Sequence, residues 1–431
     1  MIRIIRPLSI RDFGCTLEPP TMSRPRSTTS LTSPTWIDNS SALNAFLAKH
    51  QHSTWVAFDT EFVSESTYRP ELCLVQVKVD EDIALIDPLA TDMTSFWEWL
   101  SSPDRKVLVH ACREELRFIH LHAGQVPLPL YDVQLIAGMV GLEYPAAYST
   151  LTNRLLAVTL DKGETRTDWS RRPLSEQQIN YAAADVEYLM PIYQTLNQRV
   201  SELNRNDWVQ NELISQQEAI IETETTPQWR RVSGSGSLNS RELAILRELW
   251  LWRDKVAQEL NRPAKRVLRD DLMCELAKRK TADERRVRSI RGMEHRQLQR
   301  HLSDIMETIR ISLELDEDQW PRRIRSSRIP QRSTLAQFLF TAIGTHCQKQ
   351  SMAPNLVTTM QTIREFLASR LDGNKKTRQT SITDGWRAEL LGSLLEDVLE
   401  GRLVAHVSNP TSDQPLTFVP HSATNPDQDE S

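Results

Sequence analysis

The chain has 431 residues, of which 39% are hydrophobic and 25% are charged. This length accommodates two to four domains, and the composition is typical of a globular protein with polar, disordered ends. The 13 glycines exclude a glycine-rich fibrous protein, and no apolar run reaches the ~18 residues of a membrane span. The N-terminal stretch MIRIIRPLSIRDFGC is broken by Arg, Pro and Asp, which is not the pattern of a secretory signal.

Cysteine usage indicates the compartment. The chain has five cysteines, an odd number, at scattered positions and without a CxxC pair. This pattern predicts neither a zinc site nor a disulfide framework. We therefore expect a cytoplasmic protein whose cysteines are reduced.

The net charge of −5 hides an asymmetry along the chain. Counting Lys and Arg against Asp and Glu, residues 51–200 carry −9 and residues 228–332 carry +9. An acidic part joined to a basic part indicates a site that holds cations beside a surface that binds phosphates. Two ordinary domains of different isoelectric point would give the same pattern.

The chain begins with a polar segment. The first 34 residues are rich in Ser, Thr, Pro and Arg, as in TMSRPRSTTSLTSPT, and this composition predicts disorder. Met22 lies within this segment and is an alternative start to Met1.

Strand-like and helix-like segments are mixed between Trp36 and Val200. The runs STWVAFDTEF, LCLVQVKV, IALIDP and KVLVHA are β-rich. KVLVHA leads directly into the helical CREELRFIHLHAG, with Gly124 as its stop. SEQQINYAAADVEYLMPIYQTLNQRV predicts one long helix, in which Ser175 and Gln178 have capping-box spacing. This mixture predicts an α/β domain with mixed strand order.

The rest of the chain is predominantly helical. TETTPQWRRVSGSGSLNS has the composition of a linker, SRELAILRELWLWRDKVAQELNRP has helical periodicity, and QWPRRIRSSRIPQRS is a second, basic linker. The predicted segments are 1–34 (disordered extension), 35–203 (α/β domain), 204–237 (linker), 238–312 (helical domain), 313–332 (basic linker), 333–408 (second helical domain) and 409–431 (disordered tail).

Asp59 and Glu61 are the first candidate site residues. They follow an apolar run, and side chains two apart on a strand point to the same face. Two carboxylates that share a face repel each other, and a divalent cation relieves this repulsion. The pair therefore predicts metal ligands, or alternatively hydrolytic acid–base groups.

Two helices carry further candidates. At about 100° per residue, Glu115 faces the fold and Glu114 faces water. The alternative is that both merely favour a helix N-terminus. In YAAAD, Tyr181 and Asp185 are four residues apart and lie one above the other on a helix, with small alanines around them. The alternative for this pair is a surface position without a role.

Together and in this order, the segments FDTEF, VLVHACREEL and TDWSRRPLSEQQINYAAADVEYLMPIY resemble the exonuclease motifs of the DEDD family, tyrosine subtype. The resemblance is greatest to its ribonuclease D branch. It runs from about Trp55 to Tyr193 and includes YRPELCLVQV, ALIDPL, YDVQL and LDKGETRTDW. It implies a ribonuclease-H-like, mixed-sheet exonuclease domain followed by one or two small all-helical domains.

The resemblance also implies roles for the candidate residues. Asp59, Glu61 and Asp185 are expected to bind two divalent metal ions, Mg²⁺ or Mn²⁺, and Tyr181 to orient the attacking water. The family has Asp where this sequence has Glu115. Glu115 is therefore the fourth expected ligand, with a side chain one methylene longer that can displace an ion.

The helical blocks supply a second kind of site. Residues 238–312 resemble the HRDC domain, the helicase-and-ribonuclease-D C-terminal domain, and 333–408 resemble a weaker second copy. Basic residues cluster in the first block and predict phosphate binding, with a solvated helical surface as the alternative. The candidates for nucleic-acid binding are Arg262, Lys265, Arg266, Arg269, Lys278, Arg279 and Lys280.

The resemblance implies a 3′–5′ exoribonuclease that releases nucleoside 5′-monophosphates. The expected partner is RNA, either tRNA precursors or other structured 3′ ends, and the expected state is a monomer. One alternative is a DNA-directed 3′ exonuclease, although the helical C-terminal part and the lack of polymerase or helicase motor motifs favour RNA. The other is an RNA-binding protein whose nuclease site is weakened at Glu115.

Overall fold

The computed structural model describes residues 33–124, 129–160, 167–323, 330–371, 381–412 and 414–421. Most of the predicted disordered extension, residues 1–32, lies outside these ranges, as do residues 422–431 of the predicted tail. Residues 161–166 of the LDKGETRTDW segment also lie outside them.

The N-terminal part is built on a six-stranded mixed sheet in the order β1-β4-β3-β2-β5-β6. Its central strand β2 is antiparallel to β3 and parallel to β5. This arrangement confirms the predicted mixed α/β class. The strands are β1 Thr35–Ile37, β2 Trp55–Val63, β3 Glu71–Val79, β4 Asp82–Ile86, β5 Lys106–Val109 and β6 Tyr131–Asp132.

Half of β2 extends beyond its neighbour β5. The two strands pair from Trp55 to Ala57, and β5 ends at Val109. The half with Asp59 and Glu61 continues to pair with β3, while its other edge faces the turn that follows β5. Side chains that come from this turn can therefore reach the carboxylates.

Eight helices surround the sheet within the described part of this region. They are α1 Ser40–Lys49, α2 Thr94–Leu100, α3 Arg113–Ala123, α4 Val133–Met139, α5 Tyr148–Leu156, α6 Glu176–Glu187, α7 Leu189–Glu202 and α8 Asn206–Thr225. The side chains that pack α3 against β2, including Phe58 and Leu116, belong to one apolar cluster. The opposite face of the sheet contacts α6 and α7.

The predicted long helix is two helices, α6 and α7, separated at Tyr188. Pro191 has no N–H to donate to the carbonyl of Glu187, so a regular helix cannot continue there. Lys78 fills this gap, because its ammonium group contacts the Glu187 carbonyl at 3.3 Å and the Glu187 carboxylate at 2.9 Å.

Residues 206–225, which the sequence assigns to a linker, form the 20-residue helix α8. Its buried stripe contains Val209, Leu213, Gln217 and Ile220. Gln217 interrupts the apolar pattern and makes the helix hard to recognise. Its amide accepts from the Leu130 N–H at 2.9 Å and donates to the Leu130 carbonyl at 2.7 Å, so its burial is satisfied.

The C-terminal part contains two helical blocks and a hairpin. The hairpin β7–β8 includes residues 416–420, which the sequence places in the disordered tail. The elements are α9 Ser240–Glu259, α10 Ala264–Val267, α11 Asp270–Arg279, α12 Glu284–Arg288, α13 Arg296–Arg300, α14 Leu302–Leu313, α15 Pro330–Lys349, α16 Pro354–Val357, α17 Met360–Leu371, α18 Gly385–Leu391, α19 Leu394–Leu399, β7 Leu403–Val407 and β8 Leu416–Pro420.

Both helical blocks begin with the same local pattern. A 20-residue helix is followed by a residue with positive φ and then by a four-residue helix, with a proline just before the short helix in the first block and at its first position in the second. The residues with positive φ are Asn261 in the first block and Ser351 in the second. That the second block is a copy of the first module stays a prediction. None of the helices in the described ranges combines the length and the apolar character that crossing a membrane requires.

The second helical block packs directly onto the sheet-containing part. One continuous buried cluster includes Leu135 of α4, Leu213 of α8 and Ile343 of α15. The Ala353 N–H donates to the carbonyl of Gly138 at 2.9 Å. The two parts therefore share one hydrophobic core.

Candidate active site

Asp59 and Glu61 project from the half of β2 that extends beyond β5. Burial raises the pKa of Asp59 from 3.8 to about 7, although the Thr60 N–H, which donates to its carboxylate at 2.9 Å, acts in the opposite direction. Burial and the Asp59 charge together raise the pKa of Glu61 from 4.5 to about 8. Each carboxylate thus favours a proton or another cation.

Glu115 reaches the same place from the first turn of α3. Its side chain is 5% exposed, and its Oε1 accepts a 2.9 Å hydrogen bond from the Thr60 hydroxyl. It also lies beside Asp59, and the two carboxyl groups influence each other's pKa. Burial, followed by the Asp59 charge, raises the pKa of Glu115 well above its usual value. Glu114 instead pairs with Arg117 at 2.8 Å, so the predicted orientation of the two glutamates is confirmed.

Tyr181 and Asp185 come from α6, which packs across the sheet. The predicted capping box at its start is present, with Ser175 and Gln178 bonded reciprocally. Ala182 and Ala183 are fully buried, and their small side chains let α6 lie close to the strands. The Tyr181 hydroxyl lies near the Asp185 carboxylate, whose charge, after burial, contributes to the raised pKa of the phenol.

Tyr181 and Asp185 are affected by the charges of the strand carboxylates. Burial, then the charges of Asp59 and Glu61, raise the pKa of Asp185 well above its usual value. Burial and the Asp185 charge raise the pKa of Tyr181 as well. The structure therefore brings together all five residues that the sequence singled out.

The donor set of this site fits hard divalent cations. Asp59, Glu61, Glu115 and Asp185 provide only oxygen donors, which Mg²⁺ and Mn²⁺ prefer. Within the described ranges, no three His, Cys, Asp or Glu side chains are already grouped around one ion position. Because burial raises the pKa of both Asp59 and Glu115, and their charges repel each other, binding an ion there requires loss of protons from these carboxyl groups.

Asp132 supports the site and was missed by sequence reasoning. Its carboxylate accepts from the N–H groups of Ala111 and Cys112, each at 3.0 Å, and from Gln134 N–H at 2.9 Å. It therefore fixes the turn that leads into α3 and Glu115. Its position two residues before Gln134 predicts a cap for α4, but nothing local indicates the bonds to the other turn.

Tyr148 is a second supporting residue that sequence reasoning missed. Its buried hydroxyl donates to the Ala184 carbonyl at 3.1 Å and accepts from the Tyr188 N–H at 3.2 Å. These bonds hold the end of α6 beside Asp185. The sequence offers no signal for this contact, because it joins residues 36 and 40 positions apart.

The structure separates the seven basic candidates into two groups. Arg262, Lys265, Arg266 and Arg269 lie around one cavity. The remaining three lie at the end of α11, where Arg279 pairs with Glu275 and Lys280 pairs with Glu242, each at 2.9 Å. These seven residues therefore form two basic regions of the HRDC-like part of the chain.

Comparisons with known protein families agree with this architecture. A family model described as 3′-5′ exonuclease matches residues 34–201, and one described as HRDC domain matches residues 242–309. The fold and site define a 3′–5′ exonuclease that carries an HRDC domain. Ribonuclease D of Acidiphilium cryptum is 33% identical, over 84% of this chain and 92% of that protein. The chain belongs to the ribonuclease D family.

Further relatives and a solved structure agree. Ribonuclease D of Pseudomonas paraeruginosa is 31% identical, over 85% of this chain and 97% of that protein. Escherichia coli RNase D, described as an exoribonuclease involved in structured RNA processing, superposes with a TM-score of 0.75. The two sequences are 27% identical, and the match covers 86% of this chain and 99% of the other. The protein is thus a 3′–5′ exoribonuclease and binds RNA, in a family that generally uses divalent metal ions.

Proposed function

We propose that this enzyme trims the 3′ ends of structured RNA, such as tRNA precursors, and releases nucleoside 5′-monophosphates. It acts as a metal-dependent monomer in the cytoplasm. The convergence of four carboxylates and Tyr181 in one site supports this proposal.

Asp59, Glu61, Glu115 and Asp185 are the proposed metal ligands. Two divalent ions bound there would activate water and stabilise the charge on the leaving 3′-oxygen. In the protein itself, the extended half of β2 presents Asp59 and Glu61 from one face, Glu115 approaches from the edge, and α6 supplies Asp185. Mutual repulsion among these buried carboxylates favours cation binding.

Tyr181 is proposed to position the attacking water. Burial and the neighbouring carboxylates raise the pKa of its phenol, so it stays protonated at neutral pH. A protonated phenol can donate a hydrogen bond and hold a water in place, but it is a poor general base. Burial and the neighbouring Asp185 charge keep the phenol protonated, so its hydroxyl proton is available to the water.

The two basic regions of the HRDC domain are proposed to bind RNA phosphates. They contain Arg262, Lys265, Arg266, Arg269, Lys278, Arg279 and Lys280. Electrostatic binding of this kind depends steeply on salt and little on base sequence. It suits an enzyme that must hold RNAs of different sequence while one end is shortened.

Digestion of 5′-labelled RNA and matched DNA, with Mg²⁺, Mn²⁺ or chelator, tests the proposal. We expect stepwise shortening of RNA from its 3′ end, release of nucleoside 5′-monophosphates and no reaction in chelator. Asp59→Asn or Asp185→Asn should reduce the rate by at least ~10²-fold. Tyr181→Phe should slow single-turnover cleavage without weakening RNA binding.

Glu114→Ala is the matched control, because Glu114 lies on the same helix turn but pairs with Arg117. Equal activity in Asp185→Asn and wild type would remove the metal-site assignment. Preference for DNA over RNA would contradict the proposed substrate.

A further inference from the structure

A cavity of about 640 Å³ lies where the exonuclease domain meets the HRDC domain. Its volume is within the range of small-molecule sites. Ser66, in the loop that follows β2, lines one side, and Arg262 and Arg266 line the other. The buried side chains of Leu268 and Leu272 also line it, so the cavity has an apolar floor beneath a basic rim.

The loop from the exonuclease domain is attached to the HRDC domain beside this cavity. The Tyr68 hydroxyl donates to Asp254 at 2.8 Å and accepts from Gln258 at 3.2 Å. The Tyr68 N–H donates to the Asn261 side chain at 3.1 Å. The Tyr68 ring packs in an apolar cluster with Val256 of the HRDC domain. The two walls of the cavity are therefore held together by specific contacts.

The arginines of the rim are available for a ligand. Arg262 and Arg266 are exposed and form no salt bridge with any carboxylate in the part of the chain that the structure describes. Lys265 and Arg269 have partners, because they pair with Asp270 at 3.6 Å and Asp271 at 3.1 Å. A guanidinium group offers a planar fork of donors that matches a phosphate.

The cavity is close to the active site along the chain. Ser66 lies five positions after Glu61. At the maximum extension of about 3.6 Å per residue, their Cα atoms are at most about 18 Å apart. That distance corresponds to roughly five nucleotides at a stacked spacing of ~3.4 Å.

We propose that this cavity binds one nucleotide of the RNA, several positions upstream of the 3′ end that is being cleaved. Arg262 and Arg266 hold its phosphate, and the apolar floor packs against its base. The proposal rests on the proposed function, since it assigns a subsite to the same substrate. An RNA too short to reach from the active site to the cavity gains nothing from this contact.

Fluorescence anisotropy with a labelled 12-nucleotide RNA in chelator tests the subsite without requiring hydrolysis. We expect Arg262→Ala/Arg266→Ala to raise the Kd at least ~10-fold, by loss of charge-assisted hydrogen bonds. The slope of log K against log salt should become shallower by about 0.7 per lost contact. The KM for a trinucleotide should rise by a smaller factor than the Kd for the 12-nucleotide RNA, because fewer of its phosphates can reach the cavity.

Arg285→Ala/Arg286→Ala is the matched control, because it removes two exposed arginines of the same domain outside the cavity. An equal loss of affinity in this control would show that only net charge matters and would overturn the proposal. Ser66→Trp fills the cavity without changing charge and should weaken 12-nucleotide binding to a similar extent. Normal RNA binding by folded Ser66→Trp, checked by thermal unfolding, would also overturn it.

A free nucleotide is the alternative ligand for this cavity, because it carries the same phosphate and base as one unit of RNA. If AMP binds with an affinity that depends on Arg262 and Arg266, while RNA affinity does not, the cavity is a small-ligand site and the proposal fails. If the wild-type enzyme hydrolyses no RNA but its RNA binding depends on Arg262 and Arg266, the result contradicts only the proposed hydrolytic function.

Discussion

Glu115 is the residue at which this chain departs from the aspartate of the family motif. Its longer side chain is anchored by Thr60, which belongs to the strand that carries Asp59 and Glu61. The hydroxyl bond fixes Oε1 of the Glu115 carboxylate. The extra methylene is thus accommodated by a specific partner.

We expect this geometry to favour Mn²⁺, because Mg²⁺ requires near-ideal octahedral coordination. Activity should be higher with Mn²⁺, and Glu115→Asp should raise the Mg²⁺-dependent rate. Glu115→Ala should reduce the rate at least ~10²-fold with either ion. Single-turnover rates with both ions measure this effect, and Glu114→Ala serves as the control. A Glu115→Ala enzyme that keeps its full rate would exclude Glu115 as a ligand.

The raised pKa values of Asp59 and Glu61 predict how stability depends on pH. A carboxyl group with a raised folded pKa stabilises the fold below its unfolded pKa, and this contribution is lost as pH rises through the folded value. Without divalent ions, the free energy of unfolding should therefore fall from about pH 4 to about pH 8.

Mg²⁺ favours the ionised carboxylates, so its stabilising effect should grow over the same range. Thermal unfolding midpoints in chelator and in Mg²⁺, at pH 5, 6, 7 and 8, measure both trends. Asp59→Asn should reduce the pH dependence in chelator. A Mg²⁺ effect that is equal at pH 5 and pH 8 would contradict this account.

At the level of elements, the junction between α6 and α7 places Asp185. Lys78 bonds the last carbonyl of α6, and the Tyr148 hydroxyl bonds the Ala184 carbonyl in the last turn of α6 and the N–H of the junction residue Tyr188. Asp185 lies in the last turn of α6, between these two supports. We infer that Tyr148 is a positioning residue that acts through Asp185.

Tyr148→Phe should leave the buried Tyr188 N–H without its partner and loosen the last turn of α6. We expect kcat and Mn²⁺ affinity to fall about tenfold, as for other residues that orient metal ligands, with the KM for RNA unchanged. Mn²⁺ titration calorimetry and steady-state kinetics measure the two effects. Tyr144→Phe is the control, because the Tyr144 hydroxyl bonds Gln216 and not α6. Equal Mn²⁺ affinity in Tyr148→Phe and wild type would reject the positioning role.

For the whole molecule, the second helical block is part of the core that supports the active-site domain. The buried guanidinium of Arg205 donates to the carbonyls of Met139 at 2.7 Å and Ser351 at 2.8 Å, one on each side of the contact. Glu212 of α8 pairs with Arg387 of α18 at 2.7 Å. Removing the second block would therefore expose apolar surface of α4 and α8.

Two glycines with positive φ allow a test of this contact. A Cβ at Gly141, φ +84°, would lie 2.8 Å from the Ser351 backbone, whereas a Cβ at Gly124, φ +71°, would have no atom of the described residues within 4 Å. Gly124→Ala should cost about 1 kcal/mol of stability through backbone strain alone. Gly141→Ala should cost about 3 kcal/mol, because it adds overlap with backbone that cannot rotate away. Urea unfolding measures the difference, and equal losses in the two variants would contradict a tight contact in solution.

The sequence by itself determined the features that depend on local periodicity and on short motifs. Alternation along one strand put Asp59 and Glu61 on one face, and helical periodicity turned Glu115 inward and Glu114 outward. Capping chemistry located the start of α6. These features were predictable because each depends on residues a few positions apart, whose geometry secondary structure dictates.

Only the tertiary structure decided the features that depend on distant residues. Three of these features are hydrogen bonds that join separate segments. They are the bond from Gln217 of α8 to Leu130, the bond from Thr60 to Glu115, and the bond from Tyr148 to the last turn of α6. The shared core of the second helical block and the cavity beside Ser66 likewise require elements to be packed first. Local patterns cannot specify such contacts, because they report which face of an element is apolar and not which partner will cover it.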